Sequence, residues 1–292
     1  MKLRSPRPLA PLAVLTIVIA ILACAVLLRA HPIPPAQTRP GSDTLASSLD
    51  SAFVARANAT IVHSRKLIDS FFEQTSNVVC IENVSQTVVG KNNKPVYREE
   101  SAFEYQMLSN NRSGSLRLTE TRESRKTAFR DPNKTLLITS GFTSMLLLLH
   151  ENYESSYVFE PAAEETVDDR TILKIHFRSV PGASSPAAVQ LRGRNYPLQL
   201  KGDIWIDEES GAVVRLVSAL DGNLEDLGLR ELRSEIHYSL VQFHAPDEAY
   251  WMPASAVIDV ETPKQHWRNV HRFTDYRRFR ATIQVEMGGK QP

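Results

Sequence analysis

The most informative stretch of the sequence is Lys201-Gly202-Asp203-Ile204-Trp205-Ile206-Asp207-Glu208-Glu209-Ser210-Gly211-Ala212-Val213-Val214-Arg215. It contains an apolar strand pattern around Trp205, a short acidic turn that ends at Gly211, and a second apolar strand pattern that ends at Arg215. Side chains of a β-strand point alternately to opposite faces, so Ile204 and Ile206 face one way and Trp205 faces the other. Gly211 permits the turn, because glycine tolerates a left-handed backbone. The stretch therefore predicts a β-hairpin with two unlike faces.

The two strands of this hairpin share their two-residue period with strands on both sides of it. They are predicted at Val78–Val89, Pro95–Leu108, Ser115–Arg122, Ile172–Val180, Leu200–Asp207, Ala212–Leu220, Arg230–Phe243, Trp251–Glu261 and Trp267–Phe279. In the second strand Tyr97, Phe103 and Tyr105 share one face, while Arg98 and Glu104 share the other, as in a sheet with one wet side. Strands joined by short turns in this way predict a strongly curved antiparallel sheet or half-barrel.

Apolar residues at helical spacing precede the first strand. They are Leu49, Phe53, Ala57, Ile61, Ile68 and Phe72. This spacing predicts a long amphipathic helix at 48–74 whose apolar stripe covers the sheet. The predicted class is therefore mainly β with helices (α+β), with the curved sheet at residues 75–285 and a tail at 286–292.

The segment from Asp131 to Tyr157 breaks the strand pattern. Asp131-Pro132 is a typical helix start, Gly141 interrupts the helix, and Phe142 and Met145–Leu149 are apolar on every side. This run is too short to span a bilayer. Two interpretations remain open: a buried core helix, or a segment that lines or closes an apolar cavity.

The N-terminus predicts export from the cytoplasm. Residues 1–8 form a basic stub, residues 9–28 an apolar segment long enough to cross a bilayer, and residues 29–47 a proline-rich linker. The segment is either an uncleaved inner-membrane anchor or a signal peptide, and both place the domain on the periplasmic side. Cys24 lies inside the segment, either as a lipidation site or as a membrane-buried cysteine.

Charge and motifs exclude several classes of function. Lys and Arg number 34 against 33 for Asp and Glu, so the basic footprint of a nucleic-acid binder is missing. No nucleophile elbow, phosphate-binding glycine loop, dinucleotide fingerprint or Cys-x-x-Cys motif occurs. We therefore predict no catalytic residues, no metal and no cofactor. The nearest metal pattern, His150 to Glu154, has Glu where a zinc protease has its second His.

Two further groups of charged residues are assigned to the surface. Glu164, Glu165, Asp168 and Asp169 are placed in a solvated turn. The last predicted strand is locally basic, with Arg268, Arg272, Arg277, Arg278 and Arg280 beside His266 and His271. We interpret it as a charged edge strand that resists pairing with another chain, with contact to anionic headgroups as the alternative.

Residues 201–215 resemble the hairpin shared by outer-membrane lipoprotein-sorting proteins of the LolA and LolB type, and the chain as a whole resembles bacterial envelope proteins. The resemblance implies a half-open barrel around an apolar cavity that holds acyl chains and is partly closed by helices. Met145–Leu149 would then be a plug or lid. The candidate ligand-binding residues are Phe103, Tyr105, Phe142, Met145, Leu147, Leu149 and Trp205.

Three functions are weighed. The first is a non-catalytic extracytoplasmic domain that binds a lipid, an acyl chain or a lipidated protein in an apolar cavity, with the membrane as a partner. The second is an envelope interaction or scaffold protein whose core is solid. The third is an enzyme of unknown reaction. An apolar pocket of several hundred cubic ångströms favours the first and a filled core the second.

Overall fold

The computed structural model describes residues 51–74, 77–90, 92, 94–112, 115–127, 141–191, 194–222, 224–244 and 247–278. The predictions for the N-terminal stub, the apolar segment with Cys24, the linker, the helix start at Asp131-Pro132 and the tail lie outside these residues. Among the residues described, no helix is both long enough and apolar enough to cross a membrane.

Most described residues lie in β-strands. The helix α1 spans Ser51–Gln74. The strands are β1 (Asn77–Val89), β2 (Pro95–Arg112), β3 (Ser115–Thr127), β4 (Tyr157–Val167), β5 (Arg170–Ser179), β6 (Ala188–Leu191), β7 (Arg194–Pro197), β8 (Leu200–Asp207), β9 (Val213–Leu220), β10 (Glu231–His244), β11 (Asp247–Glu261) and β12 (His266–Arg278). Short 3-10 helices span Ser144–Leu149, Glu151–Ser156 and Glu225–Leu227.

Ten of these strands form one antiparallel sheet in the order β3-β2-β1-β12-β11-β10-β9-β8-β5-β4, and β6 pairs with β7 in a separate ribbon. The prediction of a mainly β fold with a large curved antiparallel sheet is confirmed. The sheet is open, because β3 and β4 are its two edges and do not pair with each other. Helix α1 contacts β2, β4 and β8, which lie far apart in the strand order, so the sheet must curve around the helix.

Helix α1 packs with its apolar stripe on the face of the sheet that we call the inner face. Ala57, Ile61, Ile68 and Phe72 are buried, as their helical spacing predicts. At the opposite side of the helix polar residues reach solvent, in the pattern of a surface helix. The predicted long amphipathic helix is thus confirmed from residue 51 onward.

The hairpin of β8 and β9 has the predicted two faces. Ile204 and Ile206 are fully buried in the core of the inner face, and Ile204 lies opposite Leu216 in the register. Gly211 adopts a φ of +69° in the turn. An L-residue is strained in this left-handed region, so glycine is required there for a physical reason.

We expect Gly211→Ala to lower the free energy of unfolding by about 1–2 kcal/mol, because alanine is strained at positive φ. A Cβ atom at this position would also lie 2.9 Å from the His63 ring of α1. Gly182 provides a matched control, since its φ is +77° but a Cβ there meets nothing within 4 Å. Urea unfolding should therefore show a larger loss for Gly211→Ala than for Gly182→Ala, and equal losses would exclude the contact with α1.

The interpretation of the last strand as an edge is wrong. β12 lies in the middle of the sheet between β1 and β11. The error arose because side chains of β12 alternate between the two faces of the sheet. Trp267 and His271 are buried on the inner face, whereas Arg268 and Arg272 are exposed on the outer face. The basic residues are therefore the wet side of a central strand.

The assignment of Glu164 and Glu165 to a turn is also wrong. Both residues lie in β4, which the sequence did not predict as a strand, and only Asp168 and Asp169 form the turn, with positive φ values. β4 contains Pro161 and several glutamates. An edge strand tolerates both features, because one of its sides does not pair with another strand.

Candidate functional site

The apolar segment Phe142–Leu149, which we call the plug, shares the inner face with helix α1 and packs against it. The 3-10 helix Ser144–Leu149 carries its apolar side chains into the core cluster, and Leu148 is fully buried. A 3-10 helix has poorer hydrogen-bond geometry than an α-helix and is used in short pieces. The predicted helix is therefore present as a short 3-10 helix, and it is buried.

Two side chains of the sheet hold the plug by hydrogen bonds. The Glu120 carboxylate on β3 accepts from the backbone N–H of Gly141, from the N–H of Ser144 at 3.1 Å and from its hydroxyl at 3.0 Å. On β10, the Tyr238 hydroxyl donates to the carbonyl oxygen of Phe142 at 2.9 Å. Burial raises the pKa of Tyr238 well above its ordinary value, so the phenol remains a donor. We call Glu120 and Tyr238 the latch.

A charged cluster lies beside the plug on the inner face. Glu82 on β1 is fully buried and accepts two hydrogen bonds from the Arg122 guanidinium of β3, one of them at 2.7 Å from Nη2 to Oε1. His271 on β12 lies 2.8 Å from the same Oε1 through Nδ1. Three separate strands thus bring one acid and two basic side chains together. Bidentate contact between arginine and a carboxylate is the strong form of such a pair.

Aromatic rings cover the charged cluster. The ring of Phe142, at the start of the plug, lies 4.7 Å from that of His271 and 5.3 Å from that of Phe273 between centroids. The Arg122 guanidinium lies 5.1 Å from the centre of the Tyr105 ring and 5.8 Å from that of Phe142. Cation–π contact of this kind adds to the ion pair where water is excluded. The plug and the charged cluster therefore form one packed unit.

The protonation states of the cluster follow from burial and pairing. Burial alone would raise the pKa of Glu82, but hydrogen bonds from Arg122 and His271 outweigh it and hold the pKa below its ordinary value of 4.5. Burial lowers the pKa of His271 below 6.5, and Glu82 offsets only part of this effect. At neutral pH Glu82 is therefore charged, Arg122 compensates it, and neutral His271 donates through Nδ1.

This arrangement predicts that the protein loses stability as the pH falls. The unfolded chain binds a proton at His271 near pH 6.5, whereas the native state resists protonation there, so stability is full above that pH and declines below it. Glu82 adds a second decline below pH 4.5 with the same sign. Urea unfolding at pH 7.5 and 5.5 measures the first step. His271→Gln should remove most of it, and an unchanged pH dependence in that variant would contradict the assignment.

The structure brings most of the predicted ligand-binding residues together and separates one. Tyr105, Phe142, Met145, Leu147 and Leu149 belong to the same buried core cluster on the inner face. Phe103 is half-buried on the same face of β2 as Tyr105. Trp205 instead points to the outer face, where its ring lies 4.3 Å from the Arg215 guanidinium and 5.1 Å from the Lys174 ammonium.

The residues considered for other chemistry are engaged in packing. His150 is buried, lies 3.6 Å from Asp69 and accepts a hydrogen bond from the N–H of Asn152. Within the described part of the chain no group of three His, Cys, Asp or Glu residues forms a metal site. Burial raises the pKa of Cys80 to about 12, so this thiol stays protonated and is a poor nucleophile.

The sequence analysis did not single out Glu82, Glu120, Arg122 or Tyr238. The two-residue period carried a signal for three of them, because Glu82 follows Cys80 on the inward-facing positions of β1, and Glu120 and Arg122 follow Leu118 on those of β3. A charged residue at an inward position needs a partner when it is buried. The two-residue period could therefore have identified these residues as inward-facing charges, although it could not have shown which of them form ion pairs.

The outer face has a pocket of about 390 Å3 across β10, β11 and β12. Its polar lining residues are Glu231, Arg233, Glu235, Asp259, Glu261, His266 and Arg268. Several form ion pairs within the pocket, such as Arg268 with Asp259 at 3.6 Å. This pocket is polar, unlike the apolar cavity that the first function requires.

Comparisons with known proteins found solved structures that resemble this chain at low sequence identity. No family model and no curated protein match the chain. A solved DUF1329 family protein from Desulfovibrio piger is 10% identical, with a TM-score of 0.39 over 77% of this chain and 94% of that one. A LolA superfamily protein from Nitrosomonas europaea is 13% identical, with a TM-score of 0.35 over 78% and 94% of the two chains. An outer membrane lipoprotein-sorting protein domain from Vibrio parahaemolyticus is 11% identical, with a TM-score of 0.34 over 77% and 93%.

The second and third of these proteins carry the names of the superfamily that residues 201–215 resemble. At identities of 10–13% and TM-scores of 0.34–0.39 these likenesses transfer neither a ligand nor a reaction to this chain.

Proposed function

We propose that this protein is a non-catalytic extracytoplasmic domain whose inner face binds the acyl chain of a lipid or of a lipidated protein in the place of the plug. The observation that carries the proposal is the plug itself. An apolar segment outside the sheet occupies part of the inner face, and Glu120 and Tyr238 hold its first turn.

The plug is suited to exchange with an acyl chain on physical grounds. Its apolar side chains, from Met145 to Leu149, contribute by burial, which is non-directional and roughly proportional to the apolar area removed from water. An acyl chain offers the same kind of surface. The exchange would keep the backbone hydrogen bonds between the strands, because the plug forms none of them.

The proposed location follows from the N-terminal sequence. Lys2, Arg4 and Arg7 precede the apolar segment at residues 9–28, and basic residues before such a segment remain in the cytoplasm. The domain would then lie in the periplasm, either tethered to the inner membrane or released by cleavage. Membrane lipids and lipidated proteins are accessible from that position.

A scaffold protein with a permanently filled core is the second candidate. It is favoured by the deep burial of the plug, since Phe142 is 1% exposed and Leu148 is fully buried. In that case the plug is part of the hydrophobic core and does not leave it. The inner face would bind no ligand, and the function would reside on the outer surface.

Native mass spectrometry of residues 41–292, exported without the apolar segment, purified without detergent and followed by lipid extraction, tests the proposal. A carrier or sensor should retain an acyl compound in near-stoichiometric amount or take it up when it is added. A clean mass without ligand, unchanged after addition of lipid, would overturn the proposal and favour the scaffold.

A further inference from the structure

Polar side chains form a line across the inner face that crosses β12 at Asn269, two residues before His271. Cross-strand register places Ser218 opposite Ser234, Asn269 opposite Gln86, and Gln86 opposite Glu99. We call these five residues the polar row; Ile258 of β11 lies between Ser234 and Asn269. With strands about 4.8 Å apart, the row extends roughly 24 Å from β9 to β2.

All members of the polar row are buried, which is unusual for polar side chains on the core side of a sheet. Ser218 and Ser234 satisfy each other through a hydrogen bond of 2.6 Å between their hydroxyl oxygens. Glu99 is different, because it is the one charged member and is only 5% exposed. A buried carboxylate needs a cation or several donors to replace its lost hydration.

Among the described residues, only one of the two oxygens of the Glu99 carboxylate has a hydrogen-bond donor. The Tyr97 hydroxyl donates to Oε2 at 2.7 Å. The other oxygen, Oε1, is buried and has no hydrogen-bond partner, and no basic side chain of the described part of the chain pairs with Glu99. A carboxylate oxygen only accepts hydrogen bonds, so the missing partner must be a donor.

Aromatic rings lie next to the polar row. In the next register position of the inner face, Tyr97 and Trp267 lie on either side of Val88. Indole and phenol rings attract organic cations through their π-faces, most strongly where water is excluded. A carboxylate acceptor beside such rings is the environment that favours an organic ammonium group over an anion.

The polar row is also within reach of a ligand that replaces the plug. Phe142, the first plug residue, packs on the ring of His271, and Asn269 lies two residues before His271 on β12, or about 7 Å away. Glu99 lies two strands beyond Asn269, or roughly 10 Å, on the same face. An amphiphile bound in place of the plug would reach Glu99 if its polar end extended past Asn269 and Gln86.

We infer that Glu99 is the anionic anchor of a headgroup subsite, and that the ligand of this protein is an amphiphile whose polar end carries an ammonium group. The inference rests on the proposed function, because it requires that an apolar chain enter the inner face. It adds the chemical class of the headgroup: cationic ligands are selected over anionic ones of the same chain length.

Isothermal titration of the full chain with decylamine and decanol tests the subsite. The two probes have the same alkyl chain, and decylamine is protonated at pH 7 as a lysine side chain is. Decylamine should bind more tightly than decanol. Glu99→Gln should weaken decylamine binding by about thirtyfold, because a buried cation loses its counter-charge, and should leave decanol binding within about twofold.

Glu100→Gln is the matched control, since Glu100 lies on the opposite face of β2, is exposed and pairs with Arg98 at 2.8 Å. It should bind both probes as the unchanged protein does. Equal affinity for the two probes, or a decylamine preference that survives in Glu99→Gln, would overturn the headgroup subsite while leaving acyl binding intact. Failure of both probes to bind would instead overturn the proposed function.

Discussion

Replacement of Arg122 by methionine is expected to lower the free energy of unfolding by about 3–5 kcal/mol, the largest effect on stability that the charged cluster predicts. Glu82 is fully buried and Arg122 is its only fully charged partner at neutral pH among the described residues. Without the guanidinium the carboxylate must either remain charged in the core or take up a proton, and both are unfavourable. Methionine keeps the apolar length of the side chain, so packing on Tyr105 and Phe142 changes little.

Two further variants separate the charge from the packing. Arg125→Met removes an exposed arginine from the same strand and should change the free energy of unfolding by less than about 0.5 kcal/mol. The double variant Glu82→Gln, Arg122→Met removes both charges and retains an acceptor for His271. It should recover at least half of the loss, because a buried pair can often be replaced by neutral residues at little expense. Chemical unfolding monitored by circular dichroism measures all three, and a single-variant loss below about 1 kcal/mol would contradict a charged Glu82.

The elements of this fold that are local in sequence were predictable. A period of two residues identified the strands around the hairpin at 201–215, and a helical period identified α1, because each pattern reports one buried face. β4 was missed since its glutamates and Pro161 obscure the period, and an edge strand accepts them. The basic strand β12 was misplaced because strand order depends on pairings between distant residues, which a periodic pattern does not encode.

The candidate site was predictable only in its apolar part. Tyr105 was identified by the alternation of its strand, and the plug was identified because an apolar run without a period needs a core. The charged cluster joins residues 40 and 189 positions apart in the chain, Arg122 and His271 to Glu82, so no local pattern reveals it. Trp205 shows the opposite case: the alternation of Ile204, Trp205 and Ile206 already placed the indole on the outer face.

Two kinds of contact hold the plug on the inner face. Its apolar side chains and the packing of Phe142 on the charged cluster favour the closed state. The latch residues Glu120 and Tyr238 add a few hydrogen bonds to the first turn of the plug. A ligand that needs the inner face must overcome this closed state, so its apparent affinity is reduced by the small fraction of open molecules.

Glu120→Gln is therefore expected to strengthen ligand binding while it weakens the fold. Hydrogen bonds to a charged carboxylate contribute about 1.5–3 kcal/mol each, and the amide loses that charge assistance to Gly141 and Ser144. If the closed state loses about 1.4 kcal/mol relative to the open state, decanol should bind about tenfold more tightly. Tyr238→Phe removes a neutral hydrogen bond and should act in the same direction with a smaller effect.

The matched control is Glu123→Gln, because Glu123 is exposed on the same strand and does not contact the plug. Calorimetric titration with decanol and urea unfolding are measured on the same preparations. A carrier predicts opposite changes, with tighter binding and lower stability in Glu120→Gln. If the protein is a scaffold, Glu120→Gln should lower stability without tighter binding. In that case the plug stays in the core and decanol has no free inner face to occupy. Loss of stability without any decanol binding in either latch variant would therefore contradict the carrier and support the filled core.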